Sequence, residues 1–164
     1  MGRTGNSIVK TDVAELIMVL NAALSEEWLS GYQYWVGARV AKGAMRNIAE
    51  SELKKHAAEE FSHAEKLADR IIQLGGIPVL NPQEWFKHSS CKYYPPENPC
   101  IKEILKQNLL SETCAIKRYQ QIADMTYGKD HVTFRMAEQI LEDELEHEDD
   151  IEAWLEDMKT PVCK

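Results

Sequence analysis

Five of the six prolines in this chain fall in one stretch, from Gly76 to Pro99, and outside it helical spacing is hardly interrupted. A chain divided in that way folds as long helices on either side of one long connection. The spacing predicts helices at about 11–42, 46–74, 101–127 and 130–158, with Asp12 near the start of the first and Gly43, Gly75, Gly76 and Gly128 as stops. Within the connection only "NPQEWF" suggests a helical turn, with Asn81 as its cap and Pro82 at its first position. The short turns after the first and third helices imply two antiparallel hairpins. A helix of about 28 residues is roughly 42 Å long, whereas about 24 extended residues reach roughly 80 Å. The connection at 76–99 can therefore run the length of the bundle and start the third helix at the opposite end. The expected fold class is all-α: a four-helix bundle with one long crossover between the second and third helices, in one domain covering 1–164.

The fourth helix carries "EDELEHEDDIE", Glu142 to Glu152, in which eight of eleven residues are acidic and none is Lys or Arg. Most of such a run is a solvated face. The apolar residues around it fall at Ala137, Ile140, Leu141, Ile151, Trp154, Leu155 and Met158, and that stripe passes through Glu144 and His147. A carboxylate inside a bundle costs several kcal/mol unless a cation compensates it. No Lys or Arg lies between Arg135 and Lys159.

The anomaly recurs on every helix. The second stripe reads Leu53, Ala57, Glu60, His63, Leu67, Ile71, Leu74, so "EFSH" repeats the Glu-x-x-His of "ELEH". The first reads Leu20, Leu24, Glu27, Gly31, Tyr34, Ala38, and the third Leu105, Leu109, Glu112, Ile116, Tyr119, Ala123. Each helix is expected to bury a single glutamate, and the two halves use one motif twice. A lone Glu-x-x-His on a helix would mean little; four helices agreeing, with no Lys or Arg on the stripes, point to a metal centre. Four carboxylates and two neutral imidazoles balance two divalent ions. That donor set suits iron, manganese or zinc, and two such ions can share bridging carboxylates and hold an oxidant between them. His63 and His147 should each give one ring nitrogen to metal and the other to an acceptor behind it.

A formal net charge of -8 disfavours nucleic acid and anionic lipid as partners and concentrates cations. "MGRTGNSIVK" lacks the apolar core of a secretory signal, and "AELIMVLNAAL" is too short to span a bilayer, so a cytoplasmic protein with no membrane partner is expected. Four cysteines in that compartment are reduced by default. None forms a C-x-x-C pair, which leaves zinc-ribbon sites without support.

The motifs "LSEEWLSGYQY", "EEFSHAEKLADRI", "LLSETCAIKRY" and "ILEDELEHEDDIEAWLE" resemble those of the ferritin-like superfamily, most closely its bacterioferritin-related branch, over roughly residues 12 to 158. The resemblance implies that Glu27, Glu60, His63, Glu112, Glu144 and His147 are ferroxidase ligands for two iron ions per subunit, with Tyr34 beside them. Bacterioferritins place a haem-binding methionine directly after the second-helix glutamate; Phe61 stands there, so no haem is expected. "SSCKYYPPENP" and "ETCAIKRYQQIADMTYGKD" resemble the thioferritins, Dps-like proteins with a cysteine pair near the metals, and so nominate Cys91 and Cys114 for a redox or structural disulfide. Cys114 follows Glu112 by two positions, about 200° around the helix, and should not bind the same ions. Cys100 and Cys163 have no assigned partner, and His56, His88 and His131 read as surface histidines.

What the resemblance implies is an iron-sequestering ferroxidase. It would oxidise Fe(II) to Fe(III) with hydrogen peroxide or oxygen, store the mineral inside a homo-oligomeric shell of twelve subunits, and protect against oxidative stress. A non-storing di-iron peroxidase or oxygenase would share the ligands. A DNA-condensing Dps protein is disfavoured, because the first ten residues carry only Arg3 and Lys10 as basic groups.

Overall fold

The computed structural model describes residues 3–43 and 46–159. A short helix α1 (Arg3–Ile8), which has no counterpart in the sequence reading, precedes α2 (Val13–Val40) and α3 (Arg46–Gln73). A 3-10 turn at Pro82–Glu84 runs into α4 (Trp85–His88), and α5 (Ile101–Thr126) and α6 (His131–Asp157) complete the fold. The four long helices end within a few residues of their expected limits. Asp12 accepts hydrogen bonds from the amides of Ala14 and Glu15 at the start of α2, and Asp130 does the same for Val132 and Thr133 at the start of α6. Gly75 takes a φ of 85°, and the amides of Gly75 and Gly76 donate to the carbonyls of Ile72 and Ile71, which closes α3. The expected turn in the connection is present, with Asn81 capping it.

Helices α2 and α3 pack as one hairpin and α5 and α6 as the other. The connection between them is held along the whole of α2 by polar side chains buried there. Asn21 donates to Ile77 O (3.1 Å) and accepts from Val79 N (2.9 Å). Further along, Glu26 accepts from Ser90 N at 2.8 Å and Gln33 from Tyr94 N at 2.7 Å. At the far end Lys42 exchanges backbone bonds with Pro99 and Ile101. The crossover thus runs the length of the bundle, as its reach allows. Cys91, on this strap, is bonded to Cys114 of α5 with their Cα atoms 5.8 Å apart, so reduced cysteines do not describe this pair. Cys100 is free and exposed, and Cys163 lies outside the described residues.

The core is not one apolar mass. Leu16, Leu20, Leu24, Leu67, Ile71, Ile122 and Ile140 form one cluster, and Leu53, Ile101, Ile104, Leu105 and Ile151 form another. Between them sits a layer of buried carboxylates and imidazoles. Among the described residues no helix is long and apolar enough to cross a membrane.

Candidate metal centre

The helical period that builds the apolar clusters also turns Glu27, Glu60, Glu112 and Glu144 inward at one depth, each at most 2 % exposed. His63 and His147, one turn beyond the glutamates of α3 and α6, are as deeply buried. The six side chains form two overlapping groups. Glu27, Glu60, His63 and Glu144 bring one donor atom each to within 4.8 Å of one another, and so do Glu60, Glu112, Glu144 and His147. Glu60 and Glu144 belong to both.

The separations decide what such a cluster can hold. His147 Nδ1 lies 3.6 Å from Glu60, 3.7 Å from Glu112 and 3.6 Å from Glu144, while His63 Nδ1 lies 3.5 Å from Glu27, 3.7 Å from Glu60 and 3.0 Å from Glu144. All but the last are too long for hydrogen bonds, and at the last neither His63 Nδ1 nor Glu144 Oε1 has a hydrogen-bond partner. The separations are close to the roughly 3.3 Å that separates two donors sharing an ion at about 2.0 Å. Seven atoms aimed into this space have no hydrogen-bond partner: Glu27 Oε2, Glu60 Oε1, His63 Nδ1, Glu112 Oε2, both oxygens of Glu144 and His147 Nδ1. Buried polar atoms are rarely left so, and a pair of divalent ions satisfies all seven. The residues fit the metals that the donor set implies.

The surrounding shell orients these donors. Tyr34 donates to Glu112 Oε1 and Tyr119 donates to Glu27 Oε1, so each outer carboxylate has one oxygen anchored and one free. His63 sets Nε2 3.0 Å from Asp143 Oδ2, and His147 sets Nε2 3.1 Å from Glu59 Oε2. These carboxylates only accept, so Nε2 carries a proton and Nδ1 faces the interior.

Without cations, protons balance the charge. Burial opposes the charged imidazolium of His63, but the carboxylates of Glu144, Glu27 and Glu60 gathered around it outweigh that and hold its pKa far above the ordinary histidine range. For His147 burial likewise loses to Glu112, Glu144 and Glu60. Burial, reinforced by the charges of Glu60 and Glu144, pushes Glu27 and Glu112 well up. Glu60 is also raised by burial, yet its contacts with His147 and His63 win and bring it below the usual carboxylate range.

The structure thus brings together the six residues singled out from sequence and puts Tyr34 against one of them, with Cys91 and Cys114 joined at the strap. Two expectations are corrected. His56 is not at the surface: it is 0 % exposed, its ring stacked 4.2 Å from that of His147, and burial together with the His147 charge depresses its pKa to about 4. Position 56 lies four before Glu60, on the same buried stripe that the sequence reading carried through Ala57. Nor does α2 bury one glutamate only. Glu26 is buried as well, on the flank facing the strap, where Arg118 of α5 donates to both of its oxygens. His88 and His131 are exposed. Tyr119, Glu59 and Asp143 were not nominated from sequence. Tyr119 had a signal, since it follows Glu112 by seven as Tyr34 follows Glu27; Asp143 falls in the acidic run whose residues mostly read as a solvated face, and Glu59 carried no signal of its own.

A family model for the ferritin-like domain matches residues 17–160. The DNA protection during starvation protein of Pyrococcus furiosus is 35 % identical over 150 residues, 91 % of this chain and 79 % of that one. A bacterioferritin of Rhodobacter capsulatus is 30 % identical over 140 residues, 85 % of this chain and 81 % of that one. Among solved structures, a bacterioferritin-related protein of Bacteroides fragilis, described as a dodecameric thioferritin, superposes with a TM-score of 0.94 at 50 % identity, covering 96 % of this chain and 95 % of that one.

Proposed function

The chain belongs to the ferritin-like domain family, and from that premise we propose that it is an iron-sequestering ferroxidase. Its substrate is a pair of Fe(II) ions. Glu27 and His63 hold one, Glu112 and His147 the other, and Glu60 and Glu144 are shared between them. Each ion gives up one electron. Hydrogen peroxide accepts the two electrons with two protons to become two waters; dioxygen, the other acceptor, takes the same two electrons and two protons to become hydrogen peroxide. The Fe(III) produced passes to mineral, and with peroxide as the oxidant the reaction removes both reactants of hydroxyl-radical chemistry. Tyr34 and Tyr119 fix the outer carboxylates, while Asp143 and Glu59 fix the imidazoles and take up the positive charge behind them.

The observation that carries this reading is the set of seven unpartnered buried donor atoms contributed by four different helices. A double substitution of the shared carboxylates, Glu60→Ala with Glu144→Ala, is expected to abolish Fe(II) oxidation followed by absorbance, with circular dichroism unchanged. Full activity in a folded double variant would overturn the reading.

Storage requires an enclosed shell, and twelve subunits are proposed because the similar Bacteroides fragilis protein is described as dodecameric. Gel filtration is then expected near twelve times 18.8 kDa. A species of one or two subunits would favour the non-storing peroxidase instead. Cys91 and Cys114 act in this reading as a redox-responsive fastener, freeing the strap from α5 when two thiols of a dithiol reductant donate two electrons and two protons to their disulfide and are themselves joined as a disulfide. The proposed location is the cytoplasm. Direct contact with DNA is opposed by the net charge of -8.

A further inference from the structure

We infer that Glu26, Arg118 and Ser90 form a latch that keeps Cys91 facing Cys114 after their disulfide is reduced, and so sets how strong a reductant is needed to free the strap. The inference rests on the redox-responsive fastener proposed above and not on iron chemistry. Ser90, next to Cys91 on the strap, is bonded to both partners. Glu26 Oε1 accepts from its amide at 2.8 Å and from its hydroxyl at 3.0 Å, and Arg118 Nη2 donates to that hydroxyl at 2.8 Å. Arg118 follows Cys114 by one turn of α5, so one side chain links the helix that carries Cys114 to the residue beside Cys91. The Cys91 carbonyl itself accepts from Ser89 Oγ at 2.7 Å. On the other side of Cys91, the amide of Tyr94 donates to Gln33, whose own Nε2 donates to Asn108 of α5 at 2.8 Å. None of these bonds involves sulfur, so opening the disulfide leaves Cys91 pinned at both flanks.

The paired centre does not demand this cluster. In the repeat that matches Glu27 with Glu112 and Tyr34 with Tyr119, Glu26 corresponds to Ser111 and Arg118 to Gln33. Gln33 and Arg118 each precede the tyrosine that anchors an outer carboxylate, and each reaches the strap, one at Tyr94 and the other at Ser90. The ion pair exists only beside the disulfide. There the side chains of Glu26 and Arg118 are 4 % and 13 % exposed and are joined by two bonds, at 2.8 Å and 2.9 Å. A buried ion pair adds little stability over apolar residues of similar volume. What it adds here is a fixed place for the N–H and O–H of Ser90.

The consequence is thermodynamic. A dithiol reductant breaks the Cys91–Cys114 bond and delivers two electrons and two protons to the cysteine sulfurs, while its own two sulfurs join. Closure of the protein disulfide opposes that exchange, and its strength follows the effective concentration of one cysteine thiol at the other. A loose strap dilutes Cys91 over many positions, whereas a strap held at Ser90 and Tyr94 has lost that freedom before the sulfurs meet. Freeing the strap therefore takes two events: reduction of the disulfide, and the parting of Ser90 from Glu26 and Arg118.

The test uses the full-length assembled protein without added iron, equilibrated in mixtures of reduced and oxidised dithiothreitol, with free thiols alkylated and counted by mass spectrometry. Glu26→Met with Arg118→Met removes both charges together, so neither is left buried alone. This double variant is expected to lower the ratio of reduced to oxidised dithiothreitol that opens half of the disulfide by about tenfold, or about 30 mV for a two-electron couple. Ser90→Ala, at an exposed position of the strap, is expected to lower it by about threefold, and it carries the test should the double variant not fold. Arg70→Met breaks the buried clamp at Asp130, away from Cys91, and should leave the ratio where it is. In the reduced, unsubstituted protein the Ser90 amide should still be protected from hydrogen exchange. A ratio unchanged by the latch substitutions, one that Arg70→Met moves as far, or fast exchange of the Ser90 amide on reduction would overturn the latch. No arm measures Fe(II) oxidation, so its failure is distinct from failure of the ferroxidase reading.

Discussion

The hairpin of α2 and α3 and the hairpin of α5 and α6 carry the same chemistry at their middles and different chemistry at their ends. Glu27 matches Glu112, Glu60 matches Glu144 and His63 matches His147, and the match continues outward. Tyr34 of one half bonds Glu112 of the other while Tyr119 bonds Glu27; Glu59 backs His147 while Asp143 backs His63. Beyond that layer the repeat stops. Arg70 on α3 reaches Asp130 at 2.7 Å and Thr133 at 2.7 Å, a buried polar clamp, whereas the matching Trp154 on α6 stacks on His56. The residues that would hold and orient two equivalent ions are duplicated, and those that only close the ends of the bundle are free to differ.

The largest effect expected from this contrast is at the ends. Arg70→Met strands Asp130 in a buried position and should cost about 3–5 kcal/mol in urea unfolding; Trp154→Ala, at the matching but half-covered place, should cost about 2 kcal/mol. The opposite order would break the comparison. The clamp also has a pH signature. Burial works to raise Asp130, but Thr133 and Arg70 hold its pKa below the ordinary value. A lowered carboxylate pKa gives stability that is present above its unfolded value, about 3.9, and is lost as pH falls through the lower folded value. Asp130→Asn should therefore unfold more easily than the original at pH 7, with the gap closing below about pH 4.

At the middle the two halves should respond alike. Asp143→Ala removes the acceptor behind His63 only, and a loss of about 10–100-fold in affinity for the paired ions is expected by calorimetry. Tyr34→Phe and Tyr119→Phe should slow Fe(II) oxidation by similar factors, because each frees one oxygen of one outer carboxylate. Unequal slowing would show that the two ions differ in role. A smaller and shared effect is proton release. His63, His147, Glu27 and Glu112 all have raised pKa values in the cation-free centre, which favours bound protons that arriving metal must displace. Zn(II) titrations in buffers of different ionisation enthalpy should show protons released on binding, and affinity should rise with pH.

How much of this was legible in sequence follows from the same contrast. The four glutamates and two histidines stand out because each occupies a place on an apolar stripe where Leu or Ile is expected, and the repeat confirms the register from helix to helix. The crossover was legible from five prolines and a length. Glu59 and Asp143 were hidden, since an acid beside many acids on a helix edge looks solvated until the partner helix is seen. Arg118 closing on Glu26 is likewise a contact between helices that no single stripe contains. His56 was missed for a narrower reason. A stripe carried through Ala57 has width enough for both positions, and choosing between neighbours on a helix face needs the packing of α6 against α3.

The central claim is that the four carboxylates and two imidazoles at the middle of the bundle hold a pair of ions. Anomalous scattering at the iron edge from a crystal soaked anaerobically in Fe(II) tests it most directly. Two peaks a few ångströms apart, each bonded to one outer carboxylate and one histidine and both touching Glu60 and Glu144, are the expected result; iron found only on surface acids, with the interior donors unbound, would contradict it.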